Sequence, residues 1–433
     1  MGDARIESLP NAPRLSTVRN SVVVRRSLYA ALVITTLLSI SLYRGFFNPP
    51  WLTANDFTAD YISARALVDG VNPYETVRTL KTKYLGAKAP YFGSPQDQRN
   101  SHPPFMILLF VPFALLPYTP ARALLLGLTC VATVFAVIRF VREMGGSRRA
   151  QLLTAAVVLN IPVVRSDFFY GQIDGLLLLL FVEGWIALRH DNERRAGLLL
   201  GALTALKLFP VLMLIPLLRM RKSRAIAWML ASAIALSLAG SAVVGLHATK
   251  SFLFTASPAN TKFWITQPGN LSLLSLPFRW LTKSYWMSSA INAPTVAFAL
   301  ATVIALAGLI ALSKTPAFLS NDLYWAAVPW LLLLSPLSWE IYIVLVIPLA
   351  FILVRRSSAL RSTRVVVVVG AILTLMGRVV ADEMIHAGVS GLSIPVQVLG
   401  YSLPMYGLLM IVCCEWRRVD SIGPKARELV AVR

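Results

Sequence analysis

The sequence predicts an all-α polytopic membrane protein with about 10–13 transmembrane helices and a long first outer loop. Three observations predict it. Of 433 residues, 56% are hydrophobic and 14% are charged, whereas a soluble domain carries about a quarter of its residues as charged types. Apolar runs close to bilayer length recur along the whole chain, and the mean hydropathy is +0.66. Basic residues gather in short clusters between those runs, giving a net charge of +21 from 41 Lys+Arg and 20 Asp+Glu. In a soluble protein this charge would point to nucleic acid. Here the clusters lie where cytoplasmic loops meet anionic headgroups of the lipid bilayer. The sequence holds no nucleic-acid motif, so that partner is excluded.

The elements follow in order. Residues 1–27 are polar and basic, with Arg5, Arg14, Arg19, Arg25 and Arg26, and are expected in the cytoplasm. A first span runs from Leu28 to Arg44, and no small-residue cleavage site follows its apolar stretch, so it is expected to stay as an anchor. A polar outer loop covers 45–103, a length typical of functional or disordered loops. "HPPFMILLFVPFALLP" is short and bounded by prolines, which predicts a re-entrant or partial helix. Ala121–Phe140 crosses to the basic loop "RFVREMGGSRR", Leu152–Val164 returns, and Gly175–Leu188 leads to "RHDNERR". Two short helices are expected to meet at Lys207, close to Pro210. Ala225–Leu246 crosses again and a second outer segment covers 247–294. Further spans are expected at 295–313, 323–337, 341–354, 365–380 and 396–414, before a basic cytoplasmic tail at 415–433. The domain organisation is therefore one transmembrane domain, 28–414, with both termini cytoplasmic. Cys130, Cys413 and Cys414 lie in apolar segments and suggest no disulfide framework.

On this map the chemistry-bearing residues fall on one side. "NDFTADYISA" offers Asp56 and Asp60 four residues apart, on one helix face, either of which could act as a general base. The plainer reading is an N-cap, Asn55 or Asp56, opening a helix that stops at Gly70. "YGQIDGLLLLLF" places Gln172 and Asp174 at the mouth of a span, suited to sugar hydroxyls or to capping. Lys207 in "ALKLFP" either snorkels or pairs with a carboxylate or phosphate. "QPGNLSLLSLPFRW" carries Asn270 and Arg279, and "SPLSWEIY" carries Trp339, Glu340 and Tyr342, with aromatics most often serving as interface anchors. His102 in "SHPPF" stands alone. Metal-ligand spacing, a phosphate-cradling glycine loop and a G-x-S-x-G elbow do not occur in the sequence.

Taken in order, "DFTADYISARALVDGVNPYE", "HPPF", "GQID", "ALKLFP", "GNLSL" and "SPLSWEIY" resemble the motifs of glycosyltransferase family 87, polytopic GT-C enzymes. The resemblance spans residues 56–342. It implies transfer of a sugar, mannose or arabinofuranose, from a polyprenyl-phosphate donor to a glycan or glycolipid hydroxyl at the outer face of a bacterial-type plasma membrane, with inversion. The family's early-loop aspartate corresponds to Asp56, which becomes the expected base, with Asp60 as the second candidate. Lys207, Arg279 and Arg65 become candidates for the donor phosphate. Gln172, Asp174, Asn270, His102, Trp339, Glu340 and Tyr342 would line the sugar or acceptor pocket. No cofactor is implied, and a divalent cation is left open. The sequence departs from the family at His102 (usually Tyr), at Asp174 (usually Asn) and after Trp339, where Glu340 and Ile341 stand in place of a common His. A membrane transporter or flippase of a lipid-linked saccharide is the competing reading; it would call for related halves, and the sequence shows no internal repeat.

Overall fold

The computed structural model describes residues 55–86, 98–287, 291–315, 320–356 and 393–420, with isolated positions outside these ranges such as Leu52 and Thr53. Most of the predicted first span and of the predicted 365–380 span, and the ends at 1–27 and 421–433, lie outside the described residues. What is described is helical, and the β-pairings among those residues are two isolated bridges, Thr76 with Arg99 and Asn270 with Trp339. The chain is an all-α polytopic membrane protein.

The polar segment after residue 45 contains two helices, Asp56–Val68 (α1) and Val77–Leu85 (α2). Asn55 is the N-cap of α1, its side chain accepting from the Thr58 amide, and the helix ends before Gly70, as the sequence predicts. α1 buries Phe57, Tyr61, Ile62 and Ala64. It packs on Pro104–Ala114 (α3) and on the start of Tyr118–Glu143 (α4). The Phe57 ring lies 5.3 Å from Tyr118 and 6.1 Å from Phe110, and the Tyr61 hydroxyl donates to the Leu116 carbonyl at 2.7 Å. The short helix expected from "HPPF" is α3, at 11 residues.

Arg148–Leu159 (α5) and Pro162–Tyr170 (α6) form a pair bent by 62°, where the sequence alone predicts a straight span over Leu152–Val164. Pro162 lacks the N–H needed to continue the helix and pushes Ile161 out of helical geometry. Asp174–Arg189 (α7) returns, and Glu193–Leu206 (α8) ends where Lys207 turns to an extended conformation. A 3₁₀ turn over Phe209–Met213 and Leu214–Arg219 (α9) complete the broken pair. Ser223–Val244 (α10) lies along α8. Gly197 and Gly201, one helical turn apart, let the two backbones touch: a β-carbon there would stand 2.4 Å from the Ala225 carbonyl oxygen and 2.5 Å from that of Met229. Small residues four apart are how membrane helices approach closely.

The second predicted outer segment also contains helices: Leu246–Ser251 (α11), Ser257–Trp264 (α12) and Ser275–Leu281 (α13). Pro294–Lys314 (α14) and Ser320–Leu334 (α15) follow. The expected 341–354 span begins as a 3₁₀ helix, Glu340–Val346, before Ile347–Arg356 (α16), with Pro348 in the first turn of α16, where its missing N–H costs least. The expected 396–414 span is a pair bent by 55°, Ile394–Tyr401 (α17) and Leu403–Asp420 (α18), with Pro404 at the break.

Among the described residues, α4, α10 and α14 are each long and apolar enough to cross a bilayer, and the two bent pairs bring the number up to five. Leu230, Ile234 and Leu238 on α10, and Phe298, Val303 and Leu306 on α14, are exposed. Such apolar stripes are stable only against lipid. Inside, Trp185, Trp325, Phe140 and Phe351 pack together where α4, α7, α15 and α16 meet, edge to face in every pair but the tilted Phe140–Trp185. Beyond this cluster Arg139 and Arg195 clamp Glu183 at 2.5 and 2.7 Å.

Candidate active site

The site assembles where the break after α8 meets the α6–α7 turn and the start of α1. An ammonium has three N–H donors, and Lys207 places all of them: on Gln172 Oε1 at 2.9 Å, Asp174 Oδ1 at 3.2 Å and the Tyr342 hydroxyl at 2.9 Å. Lys207 is buried, and Phe209 stacks on the Tyr342 ring at 5.6 Å. Because lysine can only donate, Gln172 must turn its carbonyl oxygen toward Lys207. Its amide nitrogen then faces Asp56 and donates to Oδ2 at 2.7 Å. One amide thus separates a cation from a carboxylate.

Gly171 makes that bridge possible. It ends α6 at φ +67, a left-handed conformation that a side chain disfavours. A β-carbon there would also stand 2.7 Å from Phe57 Cβ. The tight turn and the close approach to α1 together carry Gln172 to Asp56.

Asp56 opens α1, outside the membrane-spanning segments. Withdrawal from water pushes its carboxyl above the usual carboxylate range, and the neighbouring Asp60 adds to this. The Gln172 hydrogen bond, His102 when protonated and Lys207 pull the other way without cancelling the rise. One turn along α1, buried Asp60 accepts from Asn100 Nδ2 at 3.0 Å and pairs with His102 Nδ1 at 2.7 Å. Asn100 Oδ1 receives the His102 amide at 2.8 Å, and the Tyr74 hydroxyl donates to the His102 carbonyl at 2.9 Å. Asp60 is thereby committed to holding the 100–102 loop against α1. With Nδ1–H directed at Asp60, Nε2 of a neutral His102 is left as an acceptor.

Two carboxylate oxygens in the site are buried with no hydrogen-bond partner among the described residues, Asp167 Oδ1 and Asp174 Oδ2. Hydroxyl groups of an entering sugar are donors that suit them. Among the described residues, no three His, Cys, Asp or Glu side chains come together in a way that could hold a metal ion.

The structure brings Asp56, Asp60, His102, Gln172, Asp174, Lys207 and Tyr342 together. Five other predicted residues, Arg65, Asn270, Arg279, Trp339 and Glu340, make no hydrogen bond to the Lys207 cluster among the described contacts. Arg65 turns the other way and donates to the Ala114 carbonyl at the end of α3, at 2.8 Å. Asn270 uses its side chain as a backbone clamp: Nδ2 donates to the Ile265 and Pro336 carbonyls, and Oδ1 accepts from the Ser272 and Ser338 amides. Arg279 is fully buried on α13 and donates to Ser402 Oγ at 2.6 Å and to the Gln267 and Asn270 carbonyls at 2.8 and 3.0 Å. Glu340 packs against Gly269, whose β-carbon would lie 2.6 Å from Oε2. Trp339 meets Trp264 edge to face at 5.9 Å. Asn100 and Trp264 were not among the predicted site residues, and Asp167, expected with Gln172 and Asp174 on the outer face, was given no role. A carboxylate inside the apolar run "IPVVRSDFFY" was the available signal for Asp167; nothing local marks Asn100 or Trp264.

Residues 101–336 match the model of glycosyltransferase family 87. The chain belongs to that family. The match includes His102, Gln172, Asp174, Lys207, Asn270 and Arg279; Asp56 and the 339–342 segment flank it. The chain is also similar to a polyprenol-phosphate-mannose-dependent alpha-(1-2)-phosphatidylinositol pentamannoside mannosyltransferase of Mycobacterium tuberculosis, 27% identical over 67% of this chain and 65% of that protein. A protein of the same description from Mycolicibacterium smegmatis is 26% identical over 74% of this chain and 76% of its own length. A phosphatidylinositol mannoside mannosyltransferase from the same organism is 33% identical over 34% of this chain and 36% of its own. The alignment to the Mycobacterium tuberculosis protein thus takes in just under two thirds of that relative.

Proposed function

We propose that this chain is an inverting glycosyltransferase that moves mannose from a polyprenyl-phosphate donor to a hydroxyl of a glycolipid acceptor at the outer face of the membrane. The observation that carries the reading is the connected set Asp56–Gln172–Lys207–Asp174–Tyr342, in which a base and a buried cation are held apart by a single amide. Family membership and the activities for which the similar mannosyltransferases are named support the donor and acceptor classes.

In this reading Asp56 accepts the proton of the acceptor hydroxyl as its oxygen attacks the anomeric carbon. The bond from that carbon to the phosphate oxygen breaks, and the electron pair leaves with polyprenyl phosphate. The new glycosidic bond lies on the face opposite the departed phosphate, so configuration inverts. Lys207 supplies the charge that stabilises the leaving phosphate, giving up one of its present partners to do so. Asp167 and Asp174 take hydroxyls of the donor sugar. Asp60 and His102 fix the start of α1. The step needs no cofactor, and transfer measured with and without EDTA tests that.

A donor screen tests the reading. Purified protein in lipid nanodiscs receives polyprenyl-phosphate-mannose, polyprenyl-phosphate-arabinofuranose or a nucleotide sugar with a mannoside glycolipid acceptor. Release of polyprenyl phosphate with a new mannosidic linkage supports it. Transfer from the arabinofuranose donor alone, or movement of labelled lipid across a bilayer without transfer, overturns it.

A further inference from the structure

Next to the site lies a run of aromatic rings that the proposed chemistry does not use. Trp339 contacts Trp264 at 5.9 Å, and Trp264 stacks on Trp286 at 5.6 Å with their planes 29° apart. Trp286 meets Tyr285 at 4.8 Å, and Phe263 touches Trp264, Trp286 and Tyr285 at 4.6, 5.7 and 5.6 Å. The five rings come from three separate segments: α12, the loop before α14, and the residue that opens the Glu340–Val346 3₁₀ helix. Four of the rings are partly buried, and Tyr285 at the far end is 69% exposed. A hydrogen bond between Thr266 Oγ1 and Ser284 Oγ at 2.8 Å ties α12's end to the Tyr285–Trp286 loop.

We propose that Trp339, Trp264, Trp286, Phe263 and Tyr285 form a saccharide-binding platform that receives the mannose chain of the acceptor. Three observations carry it. The strip is unbroken and ends one 3₁₀ turn from the site, where the Tyr342 amide donates to the Trp339 carbonyl at 3.0 Å and the Tyr342 hydroxyl accepts from Lys207. Interface-anchoring aromatics sit singly around a bundle's perimeter, whereas these converge from distant parts of the sequence into one patch. Two buried polar atoms on the segments that carry the strip have no partner among the described residues: Trp286 Nε1, a donor, and Gln267 Oε1, an acceptor. Gln267 follows Trp264 by one helical turn, its amide bonded to the Trp264 carbonyl at 3.1 Å. A hexose has an apolar C–H face that packs on an aromatic ring and a hydroxyl edge that both donates and accepts. A lipid acyl chain satisfies only the rings.

The identity of the saccharide as acceptor rests on the function proposed above; the platform itself does not. The test is therefore made first at equilibrium, with no donor present. Purified protein in nanodiscs is titrated with α-1,2-mannobiose while tryptophan emission is followed. A saturable change is expected for the wild type. It should weaken at least tenfold in Trp264→Ala and in the milder Trp286→Phe and Tyr285→Ala, the last at an exposed position that truncation does not destabilise. In the transfer assay the acceptor KM should rise by a similar factor while the donor KM holds. Mannobiose responses equal in wild type and all three variants would overturn the platform. So would emission that responds only to brominated lipid, which would make the strip an interface anchor. Saccharide binding without any transfer from the lipid donor would leave the platform standing and remove the function proposed above.

Discussion

At the residue scale, Gln172 sets the relation between the two charges of the site. Asp56 must be ionised to accept a proton, and its carboxyl sits above the usual carboxylate range. The acid limb of kcat/KM is therefore expected at a higher pH than an exposed aspartate would give, with activity lost as pH falls through it. Gln172→Leu removes the hydrogen bond that favours the ionised form, so that limb should move further up in pH. An unmoved limb would separate Asp56 from the titration. Tyr342→Phe takes one acceptor from Lys207; hydrogen bonds to charged groups are worth about 1.5–3 kcal/mol, so single-turnover transfer should slow roughly tenfold to a hundredfold if Tyr342 is a partner that Lys207 keeps while it acts on the phosphate, and should not slow if Tyr342 is the partner it releases. Gln172 and Lys207 were legible in the sequence because charged and amide groups at the edges of apolar runs are costly unless used, whereas Asp56 read first as an N-cap candidate and became the expected base through the family resemblance. Arg65, Asn270 and Arg279 were equally conspicuous, and the structure turns them to backbone carbonyls and amides. Residue type announces a polar group; it does not say whether its partner is a ligand or the chain itself.

At the element scale, the site depends on two turns, the α6–α7 turn at Gly171 and the break after α8 at Lys207. Gly171→Ala introduces a left-handed alanine at a cost of about 1–2 kcal/mol and a contact with Phe57 that pushes α1 away. A lower Tm in nanodiscs and a loss of transfer larger than the loss of folded protein are expected. Combining it with Phe57→Ala should restore part of the activity by removing the contact and leaving the backbone term. If the single variant keeps both stability and activity, the α1 contact does not position Gln172. The break at Lys207 could be read from Pro210 within a long apolar run. The bends before Pro162 and Pro404 were missed although both prolines are plain in the sequence. An apolar count registers how much chain is buried and not its direction, so a 62° or 55° bend looks like one crossing.

At the scale of the whole molecule, the order of apolar and basic segments made the class readable, and the excess of Lys and Arg in alternate loops predicts the orientation. The number of crossings was not readable, because helices such as Pro104–Ala114 are apolar yet shorter than a bilayer. Orientation has a direct test. In a background lacking Cys130, Cys413 and Cys414, Thr82→Cys on exposed α2 should react with an impermeant maleimide in intact cells. His190→Cys, at the exposed end of α7, should react only after permeabilisation; the reverse pattern would put the site on the cytoplasmic face. The central claim, that this membrane bundle transfers a lipid-linked sugar with Asp56 as the base, meets its most direct test in one comparison. Wild type and Asp56→Asn, matched for Tm, are given labelled polyprenyl-phosphate-mannose and a mannoside acceptor, and release of polyprenyl phosphate is followed. General-base catalysis is worth about 10²–10⁴-fold, so a loss of that size is expected in Asp56→Asn; an Asp56→Asn protein turning over at the wild-type rate would show that Asp56 is not the base.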